Sequence, residues 1–255
     1  MKKLMITAAA ALCATAAAYA DGVESGIVGY QTVDAPAAGN YIALAVQFEG
    51  IGESATLPIA SLVKVGAPKG AKSIADGADQ IWIWDSANAD WVKYFYRSTN
   101  SKWCKQGEQE ETGATVKNGD TVFFYRGGGG TVTTLTLSGG VSPVAGKPEY
   151  TNLVAGNFYM MAYPWPVAMS IKTFKNYQGA PKGAKSLADG ADQIWRWNTT
   201  NNDWDKYFYR STNGAWCKQG ETAETSHSIP AGEGFFFYRG GGGATDTVTF
   251  EFAAE

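Results

Sequence analysis

Residues 79–97 read Asp79-Gln80-Ile81-Trp82-Ile83-Trp84-Asp85, then Ser86-Ala87-Asn88-Ala89-Asp90, then Trp91-Val92-Lys93-Tyr94-Phe95-Tyr96-Arg97. Two runs rich in β-branched and aromatic residues flank five turn-forming residues, the pattern of a β-hairpin. Outward from it the same chemistry recurs. Gly39 to Phe48 supplies at least one earlier strand, and Val122 to Arg126, a tetraglycine at 127–130 and Thr131 to Leu137 read as a second hairpin. Helical periodicity is lacking over any useful length, and Pro68, Gly70 and Gly77 oppose a helix in the segment 67–77. Many short strands with Gly-rich turns predict an all-β fold, a β-sandwich or a barrel.

The hairpin occurs twice. At a constant offset of 113, the stretch from Gly66 to the tetraglycine at 127–130 aligns without a gap with the stretch from Gly179 to 240–243, and 45 of 65 positions are identical. Upstream the match fades to Gly39-Asn40-Tyr41 against Gly156-Asn157-Phe158, the second copy being four residues shorter there. A period of this length is a domain rather than a solenoid unit. Ser138-Gly139-Gly140-Val141-Ser142-Pro143 has the composition of a linker. The expected organisation is two tandem homologous β domains, 21–142 and 143–255, after a signal peptide at 1–20.

That leader is read from Lys2 and Lys3, an Ala-rich apolar run from Leu4 to Ala17, and the A-x-A site Ala18-Tyr19-Ala20. The apolar run is too short to span a bilayer, which takes about 20 residues, and no later run is longer. The sequence therefore predicts Sec-type export to the periplasm, the cell surface or the medium, with no membrane span. Of the 255 residues 45% are hydrophobic and 18% charged, a globular balance. A net charge of −3 gives no basic field for nucleic acid.

Differences between the copies test which positions tolerate polarity. Ile83 becomes Arg196 and Val92 becomes Asp205. Residues two apart on a strand share a face, so the face of Ile81 and Ile83 is expected to reach solvent at 83. Trp82, Trp84, Trp195 and Trp197 then fall on the opposite, core face. Trp103 and Trp216 follow polar segments and read as loop residues. A loop tryptophan can stack on a sugar ring or pack onto its own domain. Together with Tyr94, Tyr96, Tyr207 and Tyr209 on the adjacent aromatic strand, they form the candidate ligand-binding set.

Cys104 and Cys217 occupy equivalent positions and are the two cysteines after the leader. In an exported chain they form one disulfide between the repeats, stay as buried thiols, or pair between molecules. Asp85, Asn88, Asp90, Asn198, Asn201 and Asp203 offer closely spaced oxygens, which suit either calcium or Asx turns. Catalytic chemistry is sparse. His227 is the single histidine and faces Ala114 in the other copy, so a His-dependent centre fits at most one repeat. The tetraglycines lack the Lys-Ser/Thr that completes a phosphate loop. Asp76 with Asp79, and Asp189 with Asp192, form the carboxylate pairs a hydrolase would need, or ordinary turns. No cofactor is implied.

The order Gly29-Tyr30-Gln31-Thr32-Val33, Gly39-Asn40-Tyr41, Asp79 to Asp85, then Phe123-Phe124-Tyr125-Arg126-Gly127-Gly128 resembles a group of secreted bacterial proteins. These are built from one to several copies of a GYQTV-to-glycine-turn module. The likeness spans both repeats, except that Glu149-Tyr150-Thr151-Asn152-Leu153 stands in place of GYQTV in the second. It implies export and a β module, and carries over no catalytic residue. Three functional classes follow: an exported non-enzymatic binding protein for a glycan or surface polymer, a structural cell-surface or matrix protein, and a carboxylate-dependent hydrolase.

Overall fold

A computed structural model describes residues 28–50, 55–65, 68–129, 131–141, 149–165, 167–174, 181–241 and 247–249. The expected signal peptide lies outside these residues. The fold is all-β, as the aromatic and β-branched runs require. In the first repeat the strands are β1 (Val28–Asp34), β2 (Tyr41–Ala45), β3 (Thr56–Pro58), β4 (Val63–Val65), β5 (Gln80–Asp85), β6 (Asp90–Arg97), β7 (Lys102–Lys105), β8 (Thr115–Lys117), β9 (Thr121–Tyr125) and β10 (Thr134–Gly140). The second repeat has β11 (Glu149–Tyr150), β12 (Phe158–Ala162), β13 (Met169–Ser170), β14 (Gln193–Asn198), β15 (Asp203–Arg210), β16 (Ala215–Lys218), β17 (Ser228–Ile229), β18 (Gly234–Tyr238) and β19 (Val248–Thr249).

Each repeat centres on a five-stranded antiparallel sheet, in the order β2-β9-β5-β6-β7 in one and β12-β18-β14-β15-β16 in the other. The 79–97 stretch is the hairpin β5–β6, with Ile81 opposite Tyr94 and Trp84 opposite Trp91. The remaining pairings correspond too: β3–β8 with β13–β17, and β1–β10 with β11–β19. In the first repeat a three-stranded sheet β1-β10-β4 covers the five-stranded one as a sandwich. Leu44, Ile81, Tyr94, Trp103 and Phe124 from one layer enclose a core with Leu57, Leu135 and Leu137 from the other elements.

Four readings of the sequence change here. The tetraglycine does not close a hairpin: β9 pairs with β2 and β5, while β10 pairs with β1 and β4, so the glycines carry the chain from one sheet to the other. Ser138, Gly139 and Gly140 are not linker but the end of β10, opposite Tyr30, Gly29 and Val28. A side chain at Gly139 would come within 2.5 Å of the Glu49 carbonyl, so glycine permits the crossing of 48–50 over this strand. Glu149 and Tyr150 pair with Thr249 and Val248, which places them where Thr32 and Val33 pair with Thr136 and Leu135. The start of the second copy is thus displaced by three residues from the alignment with GYQTV. Finally, Ile81 is fully buried in its own core, and Ile83 packs against that core and is only partly exposed.

Both faces of the five-stranded sheets are covered, because the repeats pack sheet to sheet. Ala43, Phe123, Met160 and Phe236 are buried at the centre, ringed by Trp82, Trp84, Trp91, Trp195, Trp197 and Trp204. The contacts come in equivalent pairs. Trp84 meets Phe236 with ring centroids 5.2 Å apart and Trp197 meets Phe123 at 5.8 Å, both edge to face. Trp84 Nε1 donates to the Phe158 carbonyl (2.9 Å) and Trp197 Nε1 to the Tyr41 carbonyl (3.0 Å). Ala45 N donates to Gly232 O, and Ala162 N to Gly119 O, each at 2.9 Å. This is the self-complementary arrangement of an isologous dimer, built within one chain.

Candidate functional site

The loop before β5 is held by the residues that the two copies share most closely. Asp79, fully buried, accepts the backbone N–H of Lys69 (2.8 Å) through one oxygen and of Gly127 (2.7 Å) through the other. Lys69 Nζ donates to the Gly128 carbonyl. Gly127 has no room for a side chain, since a Cβ would lie 2.1 Å from the Gly77 carbonyl. Asp192, Lys182, Gly240 and Gly241 repeat the latch, with Arg239 Nη1 3.4 Å from Asp192. Burial pushes both carboxyls above the usual carboxylate range, and the N–H donors and nearby arginines pull them back only in part. Asp76 and Asp189 accept from Ser73 Oγ and Ser186 Oγ (2.9 Å each), closing one-turn 3-10 helices. All four carboxylates that a hydrolase would have used are engaged in holding the loop.

The candidate stacking residues sit elsewhere than expected. Trp103 and Trp216 are on strands β7 and β16, not in loops, and are 5% and 1% exposed. The reason is their place in the sheet: each lies opposite a tyrosine of the next strand, Tyr96 and Tyr209, and points into its own core. Tyr94 and Tyr207 are buried on the same face, and Tyr96 and Tyr209 are half-buried with their rings against those tryptophans. The set is brought together, but as core packing. The Tyr207 hydroxyl is buried with its pKa pushed up to about 12 by desolvation.

Cys104 and Cys217 are fully buried free thiols in separate clusters, with Phe95 and Phe208 respectively, so no disulfide joins the repeats. Each is covered by its own latched loop. The residues of the calcium alternative make turn contacts. Asp85 accepts from Ala87 N, Asn88 N and Asn88 Nδ2, and Asn198 Oδ1 accepts from Thr200 N and Asn201 N. Asp90 and Asp203 accept the N–H of the tryptophan that follows each. Among the described residues no group of three or more His, Cys, Asp or Glu side chains could hold a metal.

A concave feature of the first repeat is an open cleft of about 290 Å3 between the 3-10 turn and the end of the sheet. Phe95 lies at its base. Lys72, Ser73 and Ala75 line one side, and Arg97, Gln106 and Glu108 the other. Arg97 Nε donates to Thr99 Oγ1 at 2.7 Å, and Arg210 Nε repeats the bond to Thr212 Oγ1 at 2.7 Å. In the second repeat the equivalent positions carry Lys185, Ser186, Ala188, Arg210, Gln219 and Glu221, the same residue types, while Ile74 and Gln109 of the lining become Leu187 and Thr222. Residue patterns alone did not mark this cleft, because none of its members belongs to a catalytic or metal motif. The signal was uneven divergence. Exposed residues at the hairpin tip, such as Ala87 and Ala89, change to Thr200 and Asn202, while exposed Lys72 and Gln106 do not change.

No family model, curated protein or solved structure matches this chain. The likeness to secreted β modules therefore rests on the quoted residues. No helix among the described residues is long and apolar enough to cross a membrane.

Proposed function

We propose that the chain is an exported, non-enzymatic binding protein that holds a glycan or surface polymer at two equivalent clefts. The observation that carries this reading is the retention, in both repeats, of exposed polar cleft residues for which the fold has no evident need. Lys72 and Gln106 are exposed at positions where neighbouring surface residues have diverged. Two equal weak sites on one chain gain from effective concentration when the ligand is a polymer. Trp103 and Trp216, the expected stacking platforms, are consumed by the cores, so recognition falls to Arg97, Gln106, Lys72 and their counterparts. The engagement of Asp76, Asp79, Asp189 and Asp192 in loop closure supports a binding role over hydrolysis.

A glycan array probed with the exported chain tests this, alongside Gln106→Ala combined with Gln219→Ala. Binding that weakens in the variant with an unchanged unfolding midpoint is the expected result, and absence of binding across the array would sink it. That outcome would favour the structural reading, a cell-surface or matrix protein. Its own support is the aromatic face, which is spent on joining the repeats.

A further inference from the structure

Resting on that binding reading, we infer that the clefts take an acidic polysaccharide, its carboxylate or sulfate groups met by Lys72 and Arg97 in the first repeat and by Lys185 and Arg210 in the second. Several other cations pair with carboxylates: Lys102 meets Glu111 at 2.9 Å, Arg196 meets Glu233 at 2.9 Å, Lys218 meets Asp205 at 2.9 Å and Arg239 meets Asp192 at 3.4 Å. Lys69 and Lys182 donate to backbone carbonyls instead, and Lys93 and Lys206 lie over tryptophan rings. The four cleft cations have no carboxylate partner among the described residues, and Lys72 and Lys185 lie on neither a carbonyl nor a ring, at equivalent positions of the two repeats.

The arginines are also held in place before any ligand arrives. The Nε to threonine bond, the same in both repeats, fixes the guanidinium plane. Arg97 is left with its terminal N–H groups for a planar or tetrahedral oxyanion, while Arg210 Nη1 already reaches the Glu221 carbonyl at 3.3 Å. The acidic groups near the cleft are themselves engaged: Asp76 accepts from Ser73, and Glu108 leans to Lys105 at 3.8 Å. Gln106 adds a neutral donor and acceptor suited to a sugar hydroxyl. The net charge of −3 repels a polyanion from the rest of the surface, so binding would be confined to the clefts.

The test uses the exported chain with three polymers: polygalacturonate, dextran sulfate and unsubstituted dextran. Affinity electrophoresis or calorimetry at low and high salt should show binding to an acidic polymer that weakens with salt, and none to dextran. The carboxylate and sulfate arms identify which acid group is preferred. Lys72→Ala with Arg97→Ala should weaken binding about tenfold or more by removing one of two linked sites. Adding Lys185→Ala and Arg210→Ala should abolish it while the unfolding midpoint holds. Full binding by the quadruple variant overturns the inference. Dextran binding equal to that of the acidic polymers, lost in Gln106→Ala with Gln219→Ala, also overturns it but leaves the binding-protein reading standing. No binding to any of the three overturns the acidic ligand, and the glycan array then decides the broader reading independently.

Discussion

The two repeats share the strand order of their five-stranded sheets, the latch and most residue types at the cleft positions, yet they differ at the line where they meet. Thr121 and Gly234 are equivalent positions in β9 and β18, and they face each other across the interface. A Cβ on Gly234 would lie 2.1 Å from Thr121 Cγ2 and Oγ1. Thr121 Oγ1 uses the space to donate to the Met161 carbonyl at 2.7 Å. A second asymmetry flanks it: Arg196 and Glu233 form a half-buried ion pair where the first repeat has Ile83 and Asp120. Two identical repeats could pair with a copy of themselves as readily as with each other. The divergence at the axis favours pairing of unlike repeats, so the duplication has been fixed into one two-unit body.

The largest expected effect tests the part of the interface that has stayed symmetric. Phe123 and Phe236 are buried at its centre, each against tryptophans of the other repeat. Phe123→Ala and Phe236→Ala should each cost about 3–5 kcal/mol in denaturant unfolding, and by nearly the same amount. If one costs that much and the other almost nothing, the repeats are not joined as described.

The asymmetric pair comes next. Gly234→Thr should destabilise by about 1–3 kcal/mol through overpacking. Adding Thr121→Gly should recover most of that loss, because the exchanged pair again has one side chain in one space. A double-mutant cycle measures the coupling, and additive effects would show that the two positions do not meet.

The repeat itself, the all-β class and the β5–β6 hairpin were legible because they depend on local pattern. Trp82 and Trp84 could be placed on one face by alternation, but not assigned to an interface. Alternation tells which residues share a face, and says nothing of what covers it. The same limit misled the reading of Ile83. Its replacement by Arg196 looked like a mark of solvent, whereas Glu233 compensates the charge at a half-buried site. Trp103 looked like a loop residue because its neighbours Ser101 and Lys102 are polar, yet its strand is an edge with one exposed side. The cleft was invisible for a different reason: its parts lie on the 72–75 turn and on the distant segment 95–109, and long-range bonds, Ala71 N to Tyr96 O and Ser98 N to Ala71 O beside the Asp79 latch, bring them together.

The latches give a pH response common to both repeats. Asp79 and Asp192 both have folded-state pKa values above the ordinary carboxylate value. A raised carboxylate is favoured protonated in the fold, so its contribution is full below the unfolded pKa of about 3.9 and is lost as pH rises through the folded value. Arg239 Nη1, 3.4 Å from Asp192, and Arg126 and Lys69 beside Asp79 offset this only in part. The decline should therefore be present at both latches. Asp79→Asn and Asp192→Asn should each flatten that decline in unfolding free energy. Each substitution also loses about 1–3 kcal/mol, since an amide accepts through one oxygen where the carboxylate accepts through two. An unchanged pH slope in both variants would remove the role given to the latch carboxyls.

The smallest effect joins the repeat comparison to the clefts. Val92 in the first repeat leaves Lys105 near Glu108, whereas Asp205 in the second draws Lys218 to itself at 2.9 Å. Glu221 is then without a lysine, and the second cleft should be less attractive to an anion than the first. Val92→Asp should make the first cleft resemble the second, weakening acidic-polymer binding by roughly two- to threefold, of the order of one surface ion pair. Asp205→Val should do the reverse. The Asp205 carboxyl is partly buried, but the Lys218 and Asn198 bonds outweigh that and hold its pKa below the usual value. Its contribution to stability is thus present above the unfolded carboxylate pKa and lost as pH falls through the folded one. Asp205→Val should consequently cost up to about 1 kcal/mol near neutrality and nothing at strongly acid pH. A polymer affinity that moves the same way in both exchanges would break the link between this residue pair and the cleft charge.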